Sequence, residues 1–225
     1  TKDAEIVPTD KNFRLGDFKD VQQPTFALRG YTYNPFWSRE FLEKQRGFGL
    51  LKDYCLTATH SFYTYISPGV YFKDHPEWFA MQPNGTRNPP RSGHDVKLCI
   101  SNPGVWTQWL DNAEAKLKAA PTISVLSAPP NDGPWHCACE NCRAWDHPEA
   151  PHDVLTERHV KFWNILARGL RERFPDREVY VGAAAYAAYY APPVAEKLEP
   201  NVAIAQVGHF PLTDPQNRED ARRDW

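Results

Sequence analysis

The sequence predicts an α/β protein built on a parallel sheet. Short apolar runs alternate along the chain with longer segments whose apolar residues recur at helical spacing, and several of the runs are apolar throughout. Such alternation of strand and helix is typical of a parallel sheet whose faces are covered by helices. With 225 residues the chain is long enough for one such domain, so we predict a single domain over residues 1–225.

Five short apolar runs predict strands. In chain order they are Phe26–Tyr33, Cys55–Ile66, Thr122–Ala128, Glu178–Tyr186 and Asn201–Val207. The last three carry apolar residues on both faces, which indicates strands that are buried on both sides, as parallel strands usually are.

Two amphipathic segments predict helices between these strands. The first begins with Asn102 as its N-cap and Pro103 in its first turn. Its apolar stripe contains Val105, Trp109, Ala113 and Leu117. The second ends at Pro175, and its apolar stripe contains Val160, Trp163, Ala167, Leu170 and Phe174. We expect Glu157 and Glu172 on the polar face of this second helix.

The composition narrows the class of partner. The formal net charge of -2 argues against nucleic acid as a partner, because nucleic-acid-binding proteins usually carry a basic surplus. No apolar run approaches the ~20 residues that a membrane-spanning helix needs. The aromatic content of 13% is high, and it suits either a sugar-binding cleft or a large core.

Three cysteines are crowded into the run GPWHCACENCR, residues 133–143. With one more cysteine they offer four soft ligands for a closed, structural zinc site: Cys99, Cys137, Cys139 and Cys142. Disulfides from Cys99 to Cys137 and from Cys139 to Cys142 remain an alternative, as do unbonded thiols. A catalytic zinc would instead keep one open position and recruit His136 or His147.

Asp132 is the leading catalytic candidate. It follows the predicted strand Thr122–Ala128, at the edge where parallel α/β folds place their chemistry. Its alternative role, shared with Asn131, is that of a turn former before Gly133. Glu77, in the run HPEWF, is a second candidate, whose alternative is a buried ion pair.

Further side chains are candidates for binding a substrate. They are Asn131, His60, Tyr186 and Arg29. His60 and Tyr186 stand towards the ends of predicted strands, where they can hydrogen-bond a hydroxyl group. Arg29 and Arg87 can hold a carboxylate, and for all of these residues a purely structural role is the alternative.

Several segments, taken in order, resemble a known family. They are THSFYTYISPGVYFKDHPEWFAM, GTR, KLCISNPGV, SVLSAPPNDGPWHCACENCRAW, VGAAAYAAYYAPP and PNVAIAQV. The run HPEWF and the cysteine block are the most specific of them. The sequence resembles the barrel of a bacterial family formerly described as a domain of unknown function, whose characterised members form glycoside hydrolase family 163. It is more distantly similar to the hexosaminidase and α-glucuronidase barrels.

This resemblance implies a (β/α)8 barrel, or a truncated part of one that is incomplete at its C-terminus. It implies an endo-β-N-acetylglucosaminidase that cleaves the chitobiose core of N-glycans by substrate-assisted, retaining hydrolysis. Hexosaminidases place an Asp-Glu pair after the fourth strand, whereas this chain has Asn131 and Asp132 there. Asp132 is then one catalytic carboxylate, and Glu77 is a possible source of the other.

The resemblance also implies where the protein acts and what it needs. Its partner is a glycan or glycoprotein, and its location is outside the cytoplasm of a bacterium, in the periplasm or at the cell surface. The resemblance implies no cofactor for catalysis. The structural zinc that the four cysteines predict would stiffen the loop that carries Asp132.

Two other functions stay open. The barrel can act on a polysaccharide containing uronic acid, whose carboxylates Arg29 or Arg87 would bind. Alternatively, the chain is a zinc-stabilised carbohydrate-binding scaffold without catalysis, because its second carboxylate is not placed by the sequence.

Overall fold

The last three predicted strands form a parallel sheet. The structure, a computed structural model, describes residues 60–90, 95–133, 135–151 and 153–207. Within these residues the strands β1 (Val125–Ser127), β2 (Tyr180–Ala185) and β3 (Val202–Gln206) lie in the order β1-β2-β3. Together with the helices around them they confirm the α/β class, although each strand is shorter than predicted.

The central strand of the described sheet is β2. In the register of the sheet, Val125 of β1 lies opposite Tyr180, and Val202 of β3 lies opposite Val181. All residues of β2 after the first are buried, as predicted, but β3 is half-buried along its whole length. The prediction of complete burial is therefore wrong for β3, since within the described part of the chain only β2 pairs with it.

Five α-helices accompany the sheet in the part of the chain that the structure describes. They are α1 (Phe62–Tyr65), α2 (Pro68–Tyr71), α3 (Pro103–Ala119), α4 (Glu140–Arg143) and α5 (Thr156–Arg173). Two single 3-10 turns lie at Pro76–Trp78 and Ala187–Tyr189. The long helices α3 and α5 are the two that the sequence predicts, and no described helix is apolar and long enough to cross a membrane.

Asn102 caps α3 as predicted. Its side-chain oxygen accepts a hydrogen bond from the Gly104 N–H at 2.9 Å. The predicted apolar stripe of α3 is buried: Val105, Trp109, Ala113 and Leu117. This face packs against α5, and Gly169 of α5 makes the close approach possible, because a Cβ there would lie 2.5 Å from Leu110 Cδ1.

Helix α5 covers β2 and is anchored to the end of β1. Its predicted stripe is buried at Val160, Trp163, Ala167 and Leu170, while Phe174 is half-buried at the C-cap. The Trp163 indole N–H donates a hydrogen bond to the carbonyl oxygen of Ala128 at 3.1 Å. The chain that leaves β1 is therefore held against the helix at the start of its loop.

The predicted strand Cys55–Ile66 is wrong over the part that the structure describes, because α1 occupies it. Residues 51–59 and the strand predicted at Phe26–Tyr33 lie outside the described residues. Phe62, Tyr65 and Ile66 are buried, and their spacing is that of one helix face. Aromatic residues favour strands, so their propensity conceals the helical period in this run.

Strands β1 and β2 end at the same edge of the sheet because they are parallel. The chain continues from β1 through residues 128–133 and from β2 through Tyr186 into the turn Ala187–Tyr189. Gly133 has a φ of 111°, which favours glycine directly after Asp132. Ala187 has a φ of 48°, a left-handed conformation that costs about 1 kcal/mol for a residue with a Cβ. Backbone strain of this kind often accompanies a functional site.

Candidate functional site

Asp132 and His60 meet at this edge of the sheet. The distance from His60 Nε2 to Asp132 Oδ2 is 3.0 Å, and the two side chains are 36% and 57% exposed. The other ring nitrogen, Nδ1, lies 2.7 Å from the carbonyl oxygen of Pro130. A carboxylate and an imidazole therefore stand together where both are open to solvent, which is an arrangement suited to proton transfer.

Two hydrogen bonds of the neighbouring residue Ser61 hold His60 in place. The Ser61 N–H donates to the carbonyl oxygen of Pro129 at 3.1 Å, and the Ser61 hydroxyl donates to the same oxygen at 3.2 Å. These bonds join segments about seventy residues apart in sequence. The segment before α1 is therefore fixed to the loop that carries Asp132.

Asn131 is turned inward and supports the loop. Its residue is only 5% exposed, and its side-chain oxygen accepts a hydrogen bond from the Tyr63 N–H at 3.0 Å. Its backbone carbonyl oxygen accepts a hydrogen bond from the ammonium group of Lys97. The contacts of Asn131 are thus with the protein, and its predicted role in binding substrate stays a prediction.

Lys97 places a positive charge below the loop. The residue is 7% exposed, and burial lowers the pKa of its ammonium group to about 8, while the nearby Asp132 charge opposes the change. At neutral pH the group is still cationic. It therefore stabilises negative charge on Asp132 from the interior side.

Tyrosine side chains border the pair on the β2 side. The ring centroid of Tyr186 lies 6.2 Å from that of His60 and 6.3 Å from that of Tyr189. Tyr189 is buried, which raises the pKa of its phenol, and the charges of Asp132 and Tyr186 raise it further. Tyr186 is half-buried, so it is the tyrosine that can reach a substrate in the predicted way.

Two histidines lie behind Tyr189. The rings of His136 and His159 are in edge contact at 5.2 Å, and His159 lies 4.6 Å from Tyr189. Burial lowers the pKa of His136 to about 3 and that of His159 well below its ordinary value, so both are neutral. Together with Tyr189 they form a packed group of rings.

The four predicted cysteines come together as one cluster. The Sγ atoms of Cys99, Cys137, Cys139 and Cys142 all lie within 4.8 Å of one another. Cys99 Sγ is 3.6 Å from Cys139 Sγ and 3.9 Å from Cys142 Sγ. The thiols are unbonded, and these separations exceed the roughly 2.05 Å of a disulfide, so the geometry does not support the disulfide alternative.

The cluster fits a tetrahedral metal ion. A tetrahedron with metal–sulfur bonds of about 2.3 Å has sulfur–sulfur edges of about 3.8 Å, close to the two distances above. His136 packs against His159 and Tyr189 instead of joining the sulfurs, and His147 Nδ1 accepts a hydrogen bond from the Glu149 N–H. Within the described residues the candidate ligands are thus four cysteines without a histidine.

The way the thiols affect one another's pKa values favours a cation bound among them. Hydrogen bonds from Cys142 and Cys99 lower the pKa of Cys137, and the same bonds raise the pKa of Cys142 and bring that of Cys99 to about 12. One thiolate thus suppresses ionisation of its neighbours. A dication reverses this repulsion, and its binding displaces the remaining thiol protons.

Neighbouring groups support the sulfur atoms. The Met81 N–H donates to Cys137 Sγ at 3.3 Å, and the Cys142 N–H donates to Cys139 Sγ at 3.4 Å. The Ser101 hydroxyl oxygen lies 3.1 Å from Cys142 Sγ. Such contacts around the ligands fix their orientation in metal sites.

Arg158 joins the cysteine loop to α5. Its guanidinium forms a two-pronged ion pair with the Asp146 carboxylate, with Nε to Oδ1 at 2.6 Å, and Nη1 donates to the Cys137 carbonyl oxygen at 2.8 Å. The Arg158 side chain is 5% exposed. The loop between β1 and α5 is therefore pinned from the helix side as well as by the sulfurs.

Glu77 and Arg87 lie on the cysteine side of the molecule. They line an open cleft of about 390 Å³ together with Cys99 and Cys139. Glu77 Oε1 is 3.1 Å from His75 Nδ1, in an exposed pair rather than the buried one that the sequence suggested. The structure does not bring Glu77 to Asp132, which pairs with His60 instead.

Arg87 is part of the support of the cluster. It donates to the carbonyl oxygen of Phe79, and Nη2 lies 4.0 Å from Cys99 Sγ. Burial acts to lower the pKa of its guanidinium, but charge interactions and hydrogen bonds with Cys99 and Cys137 raise it above its ordinary value. A role in binding a sugar carboxylate is not what this position suggests. Arg29 lies outside the described residues.

The family of the chain is identified by a match over nearly all of its residues. A family model described as a domain of unknown function, DUF4838, matches residues 1–221. The chain belongs to this family. The match covers both the sheet edge and the cysteine cluster, and neither a curated protein nor a solved structure matches the chain.

Two residues that hold the loops of the candidate site in this DUF4838 chain are not predicted from the sequence. Lys97 is a lysine within the apolar run DVKLC, and that position was the available signal of a buried charge. Glu157 is 4% exposed, which corrects the expectation that it lies on a polar face. Its carboxylate accepts hydrogen bonds from the N–H groups of residues 194–196, so it fixes the loop after β2.

Proposed function

We propose that this DUF4838 protein is a glycoside hydrolase whose described sheet is part of a (β/α)8 barrel. The observation that carries the proposal is the Asp132–His60 pair, which is exposed at the carboxyl ends of parallel strands. That edge is where barrel enzymes hold their catalytic residues. The resemblance to glycoside hydrolase family 163 supplies the reaction class.

The proposed substrate is the chitobiose core of an N-glycan, cleaved by an endo-β-N-acetylglucosaminidase. In this reaction the 2-acetamido oxygen of the substrate attacks the anomeric carbon, and the leaving oxygen takes a proton from the enzyme. Asp132 is the proposed catalytic carboxylate. Tyr186 and the exposed Trp135, three residues after Asp132, are aromatic surfaces of the kind on which sugar rings stack.

We propose zinc as the metal of the cysteine cluster. Zinc prefers four tetrahedral thiolates in structural sites, and the sulfur separations agree with that geometry. The ion would hold Cys137, Cys139 and Cys142 of the loop to Cys99. It would stiffen the segment that follows Asp132 and take no part in the reaction.

The substrate class places the protein outside the cytoplasm of a bacterium, in the periplasm or at the cell surface, where glycoproteins are available. The glycan is the only partner that the proposal requires. The uronic-acid alternative loses its support at Arg87, because that guanidinium is engaged with Phe79 and Cys99.

The decisive experiment compares the protein with its Asp132→Asn variant on a glycoprotein carrying N-glycans, with released glycan measured by mass spectrometry. We expect the variant to lose at least 100-fold in turnover, because removal of a catalytic acid or base usually costs 100- to 10,000-fold, roughly. Its circular dichroism spectrum should stay unchanged. Asp176→Asn, at an exposed aspartate before the amino end of β2, is the matched control and should retain activity.

The outcomes separate the alternatives. Turnover by Asp132→Asn at the level of the parent protein would exclude Asp132 as the catalytic carboxylate. Glycan binding by the parent protein without any product would favour a carbohydrate-binding scaffold. For the metal, elemental analysis of protein purified without added metal should give one zinc per chain, and chelation should expose four reactive thiols.

A further inference from the structure

The orientation of the His60 ring is fixed by a backbone carbonyl group. His60 Nδ1 lies 2.7 Å from the carbonyl oxygen of Pro130. A carbonyl oxygen can only accept a hydrogen bond, so Nδ1 carries a hydrogen atom and donates it. The loop that follows β1 therefore holds His60 in one of two forms. The ring is either the less common neutral tautomer, with its hydrogen on Nδ1, or the imidazolium cation.

This tautomer determines what lies between His60 and Asp132. Nε2 and Oδ2 are 3.0 Å apart, which is a hydrogen-bond distance. With Nδ1 protonated, neutral His60 has only a lone pair at Nε2, and an ionised carboxylate also has only lone pairs. A hydrogen bond between them requires one proton, held either by Nε2 or by Oδ2. In both cases the pair contains one mobile proton and has no net charge.

We propose that His60 is a second catalytic residue, and that His60 and Asp132 act as one proton-carrying dyad that is first the acid and then the base of the glycosidase. This inference rests on the proposed function. It supplies the second proton-transfer group that a mechanism with Asp132 alone would lack. Both side chains are open to solvent, as contact with a substrate requires.

The proton balance of the reaction follows from this assignment. In the first step the acetamido oxygen forms a bond to the anomeric carbon, the bond to the leaving oxygen breaks, and that oxygen takes the proton of the dyad. The dyad then carries one negative charge and the cyclised sugar one positive charge. In the second step water adds to the anomeric carbon and opens the ring, and its released proton returns to the dyad.

The surroundings suit a dyad that becomes negative during the reaction. The Lys97 ammonium group interacts with the charge of Asp132 from the buried side. The rings of Tyr186 and Tyr189 border the site on the β2 side. The cationic lysine thus stabilises the charge that remains after the proton has left.

The dependence on the leaving group tests the proposal. The variant His60→Gln is compared with the parent protein on two substrates, a chitobiose-linked glycan and a dinitrophenyl glycoside of N-acetylglucosamine, whose leaving group needs no proton. We expect a loss of roughly 100- to 10,000-fold on the glycan and little loss on the dinitrophenyl glycoside. Equal losses on both substrates, or no loss on the glycan, would overturn the assignment.

A matched control is available within the chain. His75 also pairs with a carboxylate, that of Glu77, at 3.1 Å and with comparable exposure, but Glu77 lines the cysteine cleft. His75→Gln should leave the ratio of the two activities unchanged. A shift of that ratio as large as the one in His60→Gln would show that the effect is not specific to the dyad.

A measurement without turnover separates this inference from the proposed function. Nitrogen NMR of protein labelled in histidine should show a hydrogen on Nδ1 of His60 in the parent protein and in Asp132→Asn. A signal with Nδ1 unprotonated would overturn the shared proton. If the parent protein cleaves neither substrate, the proposed function and the catalytic role fall together, whereas the NMR signal still decides how the proton is held.

Discussion

Replacing Arg158 tests whether the cysteine loop depends on α5 for its position. Arg158→Met removes the two-pronged ion pair with Asp146 and the hydrogen bond to the Cys137 carbonyl oxygen, while it keeps the apolar stem of the side chain. Because the Arg158 side chain is 5% exposed, water cannot replace these contacts without opening the structure.

The size of the effect follows from the contacts. Breaking a buried ion pair by removing one partner costs about 3–5 kcal/mol. The Asp146 side chain is 25% exposed and can be partly rehydrated, which favours the lower end, whereas the unpaired Cys137 carbonyl adds to the cost. We expect a loss of about 3 kcal/mol in the free energy of unfolding. For a chain of this size the melting temperature then falls by about 6–12 °C.

The assay is thermal and urea unfolding of the purified protein, followed by circular dichroism. Arg168→Met is the matched control, because Arg168 lies on the same helix and pairs with Glu199 at 2.8 Å, but its side chain is 48% exposed. That variant should lose less than about 1 kcal/mol. If Arg158→Met loses no more than Arg168→Met, the loop does not depend on this anchor, and the reasoning from burial is refuted.

Two further predictions concern Lys97 and the contact of α3 with α5. Since burial lowers the pKa of Lys97 from 10.5 to about 8, the folded state binds fewer protons than the unfolded state between these values, and stability rises with pH there. Relative to Lys97→Met, the unfolding free energy of the parent protein should rise by about 3 kcal/mol from pH 8 to pH 10.5; parallel pH profiles would contradict this. Gly169→Ala should destabilise the protein by about 1 kcal/mol, because its Cβ would lie 2.5 Å from Leu110 Cδ1. In a Leu110→Ala background the same change should stabilise α5, and a destabilisation in both backgrounds would exclude the clash as its cause.

Much of the local structure could be predicted because it depends on neighbours in sequence. The Asn102 cap, the buried stripe of α3 and the end of α5 before Pro175 all follow from short-range rules. The helix α1 could not be predicted in this way. Its aromatic residues favour a strand by propensity, and their burial on one helical face depends on the core against which they pack.

The same distinction between local and long-range features applies to the candidate site. The chain order places Asp132 in the loop that follows β1, and the cysteine spacing gives the candidate ligand set, so residue types and their rough location are in the sequence. The sequence does not show that Asp132 pairs with His60 or that Glu77 lies apart from that pair. It also does not show that Lys97 and Glu157 are buried.

The sequence by itself therefore determined the α/β class, the two long helices, the edge of the sheet that carries Asp132 and the set of four cysteines. Only the tertiary structure decided which histidine meets the carboxylate, which glutamate is buried and that the four sulfurs converge to within 4.8 Å of one another. The physical reason is that periodicity and capping act over a few residues, whereas proton sharing and metal ligation depend on distances between atoms that folding brings together from distant parts of the chain.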